Sequence, residues 1–85
     1  MIEWTVKEVK PMGDSKIAVV FVDGVRGEVV FKPSHLRGVF EGLKNPEVFA
    51  AVHCEHGYVE WPGDIDLAPD AMYDEIKANG IWVLD

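Results

Sequence analysis

The sequence predicts a small α+β domain: an antiparallel sheet, made of a three-stranded meander and a later hairpin, packed against a C-terminal helix, with a short helical element near Pro46. Three observations predict it. Short β-branched runs fill the first third of the chain, turn dipeptides separate them at hairpin spacing, and Met72, Tyr73 and Ile76 recur at helical spacing near the end. At 85 residues with 48% hydrophobic content, the chain is expected to form a single domain, 1–85, with little spare core from which to carve a deep pocket.

The first strand is expected from Trp4 to Val9, where Trp4, Val6 and Glu8 alternate with Thr5, Lys7 and Val9. It should stop at Pro11-Met12-Gly13-Asp14, whose proline and glycine punctuate a turn. Lys16 to Val22 is too short and too β-branched for a helix and reads as a central strand. Asp23-Gly24 follows at once and suits a tight hairpin, so Val25 to Phe31 should fold back antiparallel, with Gly27 marking a bulge.

Pro33-Ser34 opens a short helix or irregular loop through Arg37, with Ser34 as its N-cap. Gly38 and Val39 weaken any longer helix there. Asn45-Pro46-Glu47 reads as a further helix start that turns Val48, Phe49 and Val52 toward the core. Ala51 to Glu55 and Gly57 to Trp61 flank a turn at His56-Gly57 and predict the second hairpin, with Tyr58 and Glu60 on one face and Val59 and Trp61 on the other. Pro62-Gly63 ends it. The clearest helix runs from Pro69 to Asn79, with Asp70 and Asp74 toward its positive end and Asn79-Gly80 as its stop. Ile81 to Leu84 is too apolar to remain an isolated tail, so it is either one more strand or an interface with a second copy.

Charge narrows the function classes. The chain carries a net charge of −7, which argues against nucleic acid as a direct partner, since phosphate binding needs a concentrated basic face. Residues 1–45 hold seven Lys/Arg against six Asp/Glu, whereas residues 46–85 hold one, Lys77, against nine. The second half therefore projects a negative field that either steers a cationic partner or simply keeps the protein soluble. No apolar run approaches the length of a membrane span, Met1-Ile2-Glu3-Trp4 lacks a signal-peptide layout, and the lone Cys54 cannot form an internal disulfide, so a cytoplasmic protein is expected.

Candidate chemistry is sparse. His53-Cys54-Glu55-His56 holds metal-ligand residue types, but on a strand only Cys54 and His56 share a side, and two ligands do not close a site. Packing is the simpler role for Cys54 and a polar turn for His56, and no metal or cofactor is expected. Asp64, Asp66, Asp70, Asp74 and Glu75 lack the ordered ladder of a calcium loop. Asp66, just before the helix, is read first as a cap for exposed N–H groups, and Asp70 and Asp74 as a solvated face. No nucleophile set can be argued around Ser15 or Ser34, so a non-enzymatic protein is expected. Trp61-Pro62 is read first as packing, with an exposed aromatic anchor as the alternative.

One pattern spans most of the chain. Gly38-Val39-Phe40, Leu43, Pro46 and Phe49 lead through Cys54 and Tyr58 into Trp61-Pro62-Gly63-Asp64-Ile65-Asp66-Leu67-Ala68-Pro69-Asp70 and close on Met72-Tyr73, with Trp4, Asp23-Gly24 and Phe31 upstream. This spacing resembles the signature of a bacterial family of small proteins, domain of unknown function 2442. The structural signature that the resemblance implies is Trp4, Gly24, Phe40, Phe49, Trp61, Pro62, Asp66, Pro69 and Tyr73. The resemblance implies a small antiparallel α+β domain and a gene that often lies beside one of family 4160 in a toxin–antitoxin-like arrangement. Some members carry an added helix-turn-helix domain. The 85 residues leave no room for one, so direct transcriptional autoregulation is not expected.

Together these readings predict an interaction protein, the antitoxin-like partner of a small basic protein encoded nearby, with Glu60, Asp64, Asp66, Asp70 and Asp74 as its contact surface. Two alternatives stay open: a small-ligand or metal-binding domain at Cys54, His56 and the acidic loop, and a self-associating structural module joined through Ile81 to Leu84.

Overall fold

The computed structural model describes residues 4–13 and 15–84. Asp14, part of the expected turn, and Met1, Ile2 and Glu3, part of the N-terminal reading, lie outside the described residues. Strands β1 (Val6–Pro11), β2 (Lys16–Phe21) and β3 (Arg26–Phe31) form the antiparallel meander. Its first strand is offset from expectation, and the offset has a cause. The β1–β2 register shifts between Val6 and Glu8, and one extra residue in a strand reverses its alternation. Val6 and Val9 therefore both turn toward the core, which an unbroken period of two would forbid.

The bulge is thus in β1 and not at Gly27, where β2 and β3 keep an unbroken register. Gly27 is small for a different reason. A Cβ there would lie 2.5 Å from the Gly80 carbonyl oxygen and 2.6 Å from Ile76 Cγ2, so the glycine lets the end of a helix approach the sheet backbone. The β2–β3 turn is the hairpin that Asp23-Gly24 promised. Gly24 donates to the Phe21 carbonyl, Val25 N–H donates to Asp23 Oδ1 at 3.0 Å, and Gly24 takes φ +95°.

After β3 the chain makes two 3₁₀ segments, Pro33–His35 and Gly38–Lys44. Ser34 lies inside the first of these and is not its cap: Lys32 occupies the cap position, with Pro33 starting the turn. The tighter helix of residues 38–44 buries only Leu43. Helix α1 (Pro46–Ala50) starts where Asn45-Pro46 predicted, the Asn45 side chain accepting from Glu47 N–H at 3.0 Å.

The later hairpin is present with different arms. Strand β4 (Glu60–Trp61) pairs with β5 (Ile65–Asp66) in a separate two-stranded sheet. Of the expected pairing between residues 51–55 and 57–61, a single bridge between His53 and Glu60 remains. The first arm is cut short at both ends: Ala51 is the C-cap of α1, and Gly57 N–H donates to the Cys54 carbonyl at 3.1 Å to close the turn.

Helix α2 (Pro69–Asn79) presents Met72, Tyr73 and Ile76 to the sheet and ends at Gly80, which takes φ +77° and donates to the Ile76 carbonyl at 2.7 Å. Strand β6 (Ile81–Leu84) then joins the main sheet, in the order β1-β2-β3-β6. Its pairing with β3 is parallel, because the chain has crossed the sheet and returned through α2 before reaching it. The core lies between the inner face of this sheet and α2, closed at one end by an aromatic cluster. Phe31 meets Phe49 and Trp61 edge to face at 5.8 and 5.7 Å, and the Trp61 indole N–H donates to the Phe49 carbonyl at 3.0 Å. Among the described residues no helix is long and apolar enough to cross a membrane.

Candidate functional site

The candidate site is built on the outer row of the small hairpin. His53 and Glu60 exchange both backbone hydrogen bonds at 2.9 Å, and Asp66 sits directly opposite Glu60 on the other side. Directly opposed residues share a face, so His53, Glu60 and Asp66 project together away from the core. Trp61 and Ile65, one position along, turn inward and are buried. Alternation thus separates packing from charge within a few residues.

Glu60 is the hub of this row. One carboxylate oxygen, Oε2, lies 2.6 Å from His56 Nδ1 and the other, Oε1, lies 3.8 Å from His53 Nε2. The Glu60 hydrogen bond and charge, helped by Glu55, push the His56 imidazole above its ordinary pKa. His53 Nδ1 is 3.1 Å from the Ala51 carbonyl, which fixes the ring from the side of α1. Sequence reasoning missed this arrangement because it looked for His56 beside Cys54. The usable signal was the His56-Gly57 turn itself, whose hairpin register pairs position 53 with position 60.

Asp66 is not the cap of α2. Ala68 holds the cap position with no side-chain hydrogen bond, and Asp66 is drawn into the β5 ladder, which carries its carboxylate outward. Pro69 at the first helical position lacks an N–H, which removes one of the donors a cap would satisfy. Asp64 occupies the β4–β5 turn with φ +62°, a left-handed conformation that aspartate tolerates better than most residues. Asp70 and Asp74 are exposed on α2, Asp70 in its first turn. Among the described residues Asp64, Asp66, Asp70 and Asp74 meet no cationic side chain. Lys77, the one cation of the second half, sits over the Tyr73 ring at 5.5 Å.

Most of the remaining signature positions serve the fold. Trp61 is 2% exposed, and Phe49 and Tyr73 are buried beside it in the same core. Gly24 makes the hairpin turn, Pro62 follows β4, and Pro69 starts α2, while Trp4 and Phe40 pack partly against the core. The Tyr73 hydroxyl donates to Asp23 Oδ2, tying α2 to the β2–β3 turn, and this bond is the main reason the Asp23 carboxyl stays below the usual carboxylate range.

Cys54 is half-buried against the core, and that burial, reinforced by Glu8 and Glu55, pushes its thiol pKa up. A thiol held protonated is a poor nucleophile and a poor metal ligand. Among the described residues no three His, Cys, Asp or Glu side chains are placed to hold a metal ion.

No curated protein and no solved structure shows significant similarity to this chain. One family does match, and it matches over residues 6–78, from the first core residue of β1 to the last turn of α2. The core aromatics Phe31, Phe49, Trp61 and Tyr73 fall within that span, and the chain belongs to the family described as "Protein of unknown function (DUF2442)".

Proposed function

We propose that this protein is a non-enzymatic interaction module that docks a small basic partner through Glu60, Asp64, Asp66, Asp70 and Asp74, in the antitoxin-like role that the family's gene arrangement suggests. One observation carries the reading. Glu60 and Asp66 stand directly opposite each other on an outward face, a placement that costs stability because like charges repel across a ladder. Packing does not require it, since the inward neighbours Trp61 and Ile65 supply the hairpin's burial. His56 Nδ1 engages Glu60 at 2.6 Å, and Asp66 is left to the solvent. A cationic partner would relieve that repulsion and gain from the uncompensated acids of α2.

The test is to co-express the chain with the product of the adjacent gene, purify the pair and measure the dissociation constant across a salt series. The expected result is a stable complex that weakens steeply with ionic strength. In the combined variant Asp64→Asn, Asp66→Asn, Asp70→Asn and Asp74→Asn, binding should fall by about tenfold or more, equivalent to about 1.4 kcal/mol. A complex indifferent to both salt and these substitutions, or no complex and no effect of the chain on growth, overturns the reading.

A further inference from the structure

The four-stranded sheet has two edges, and the chain treats them differently. The β1 edge is guarded: it carries the bulge, the charged Lys7, Glu8 and Lys10, and Pro11, and its first N–H, at Val6, donates to the Gly57 carbonyl at 2.8 Å. The β6 edge has none of these devices. Ile81-Trp82-Val83-Leu84 holds no charge, no proline and no bulge, and among the described residues no strand lies beyond it.

The phase of the β6 backbone determines which groups face that open edge. The carbonyls of Gly80 and Leu84 accept from Glu28 and Lys32 N–H at 3.3 and 2.8 Å, so even-numbered residues point their backbone groups at β3. In a parallel ladder the intervening residues point the other way. Ile81 and Val83 therefore aim their N–H and C=O outward, placed symmetrically about Trp82. That spacing is complementary to itself.

We propose that β6 pairs antiparallel with β6 of a second copy, about a two-fold axis through Trp82, to give one continuous sheet across a dimer. In this register Ile81 lies opposite Val83 of the second copy, and each such pair exchanges both N–H···O bonds. Trp82 lies opposite Trp82 of the second copy as a close, non-hydrogen-bonded pair on the inner face, where the indole is already half-buried. On the outer face, Ile81 and Val83, 38% and 42% exposed, become mutual neighbours beside Glu28 and Val30.

Charge selects the occupant. Six of the nine carboxylates in residues 46–85 lie on the hairpin and α2, whereas β6 carries none. A basic partner is drawn to the acids, and a neutral apolar edge is left for its own copy. The second copy uses a surface separate from the acidic one, so the two proposals stand or fall independently.

The test is the mass of the full chain in solution by light scattering or sedimentation, across a concentration series, against 9.5 kDa for one chain. A species of twice that mass is expected. Val83→Lys places a charge on the exposed face, and Val83→Pro removes one outward N–H while leaving the β3 ladder intact. Each should raise the dimer dissociation constant by about tenfold or more, with the circular dichroism of the fold retained. Cross-strand pairing of Trp82 should add an exciton-coupled indole signal that disappears with the dimer and in Trp82→Phe. A chain that stays monomeric at every concentration overturns the proposal. So does a dimer that survives both Val83 variants, because its interface is then elsewhere.

Discussion

Single side chains divide into those the core requires and those it leaves free, and two titratable examples show how to separate them. The Glu60 carboxylate raises the His56 pKa in the folded state, so the contact stabilises the protein below the ordinary histidine value and is lost as pH rises through the raised one. Melting temperature should therefore fall in the native chain relative to His56→Gln as pH rises from the ordinary histidine value of about 6.5 through the raised one, and the difference should vanish above it. Asp66 should behave in the opposite sense to a buried residue. Removing one of two opposed carboxylates in Asp66→Asn is expected to raise stability by a few tenths of a kcal/mol while weakening partner binding, read by thermal melting and titration together. At this scale the number of acids is legible in the sequence but their placement is not. Asp66 looks like a helix cap beside Pro69, and only the β4–β5 ladder turns it outward.

Secondary-structure elements were legible wherever a local rule decides them. The Asp23-Gly24 turn, the Asn45-Pro46 start of α1 and the span of α2 from Pro69 to Asn79 each follow from residues within a few positions. Elements whose shape depends on a distant neighbour were not. The β1 bulge exists because Val6 and Val9 must both reach a core built by other strands. The expected 51–55 arm is reduced to one bridge because Ala51 caps α1 and Cys54 already accepts from Gly57 N–H in the turn.

Gly27 is the clearest case, read locally as a bulge and required in fact by contact with the far end of α2. Gly27→Ala should push α2 away from β3 and cost about 1–3 kcal/mol in chemical denaturation, since both the backbone of Gly80 and the Ile76 side chain would have to move. An alanine variant as stable as the native chain would show that this helix–sheet approach does not constrain the fold.

On the scale of the whole molecule, the chain closes its sheet only at its last strand. β6 contributes buried Leu84 and half-buried Trp82, and it pairs with β3 along its full length. Deleting residues 81–85 should consequently remove the cooperative unfolding transition or lower its midpoint sharply, measured by calorimetry. A truncated chain that melts like the native one would mean that β6 adds little to the core. Charge is also distributed on this scale. Six of the nine acids of residues 46–85 fall on the hairpin and α2, and the uncharged apolar edge falls on β6.

By itself the sequence determined the α+β class, the meander and the α2 boundaries, because periodicity, proline and glycine act over a few neighbouring residues. The tertiary structure alone decided which face each acid occupies, that β6 runs parallel to β3 with one edge bare, and that Glu60 gathers two histidines. Those outcomes depend on register between segments remote in sequence, and a shift of one residue in a strand exchanges its buried and exposed faces.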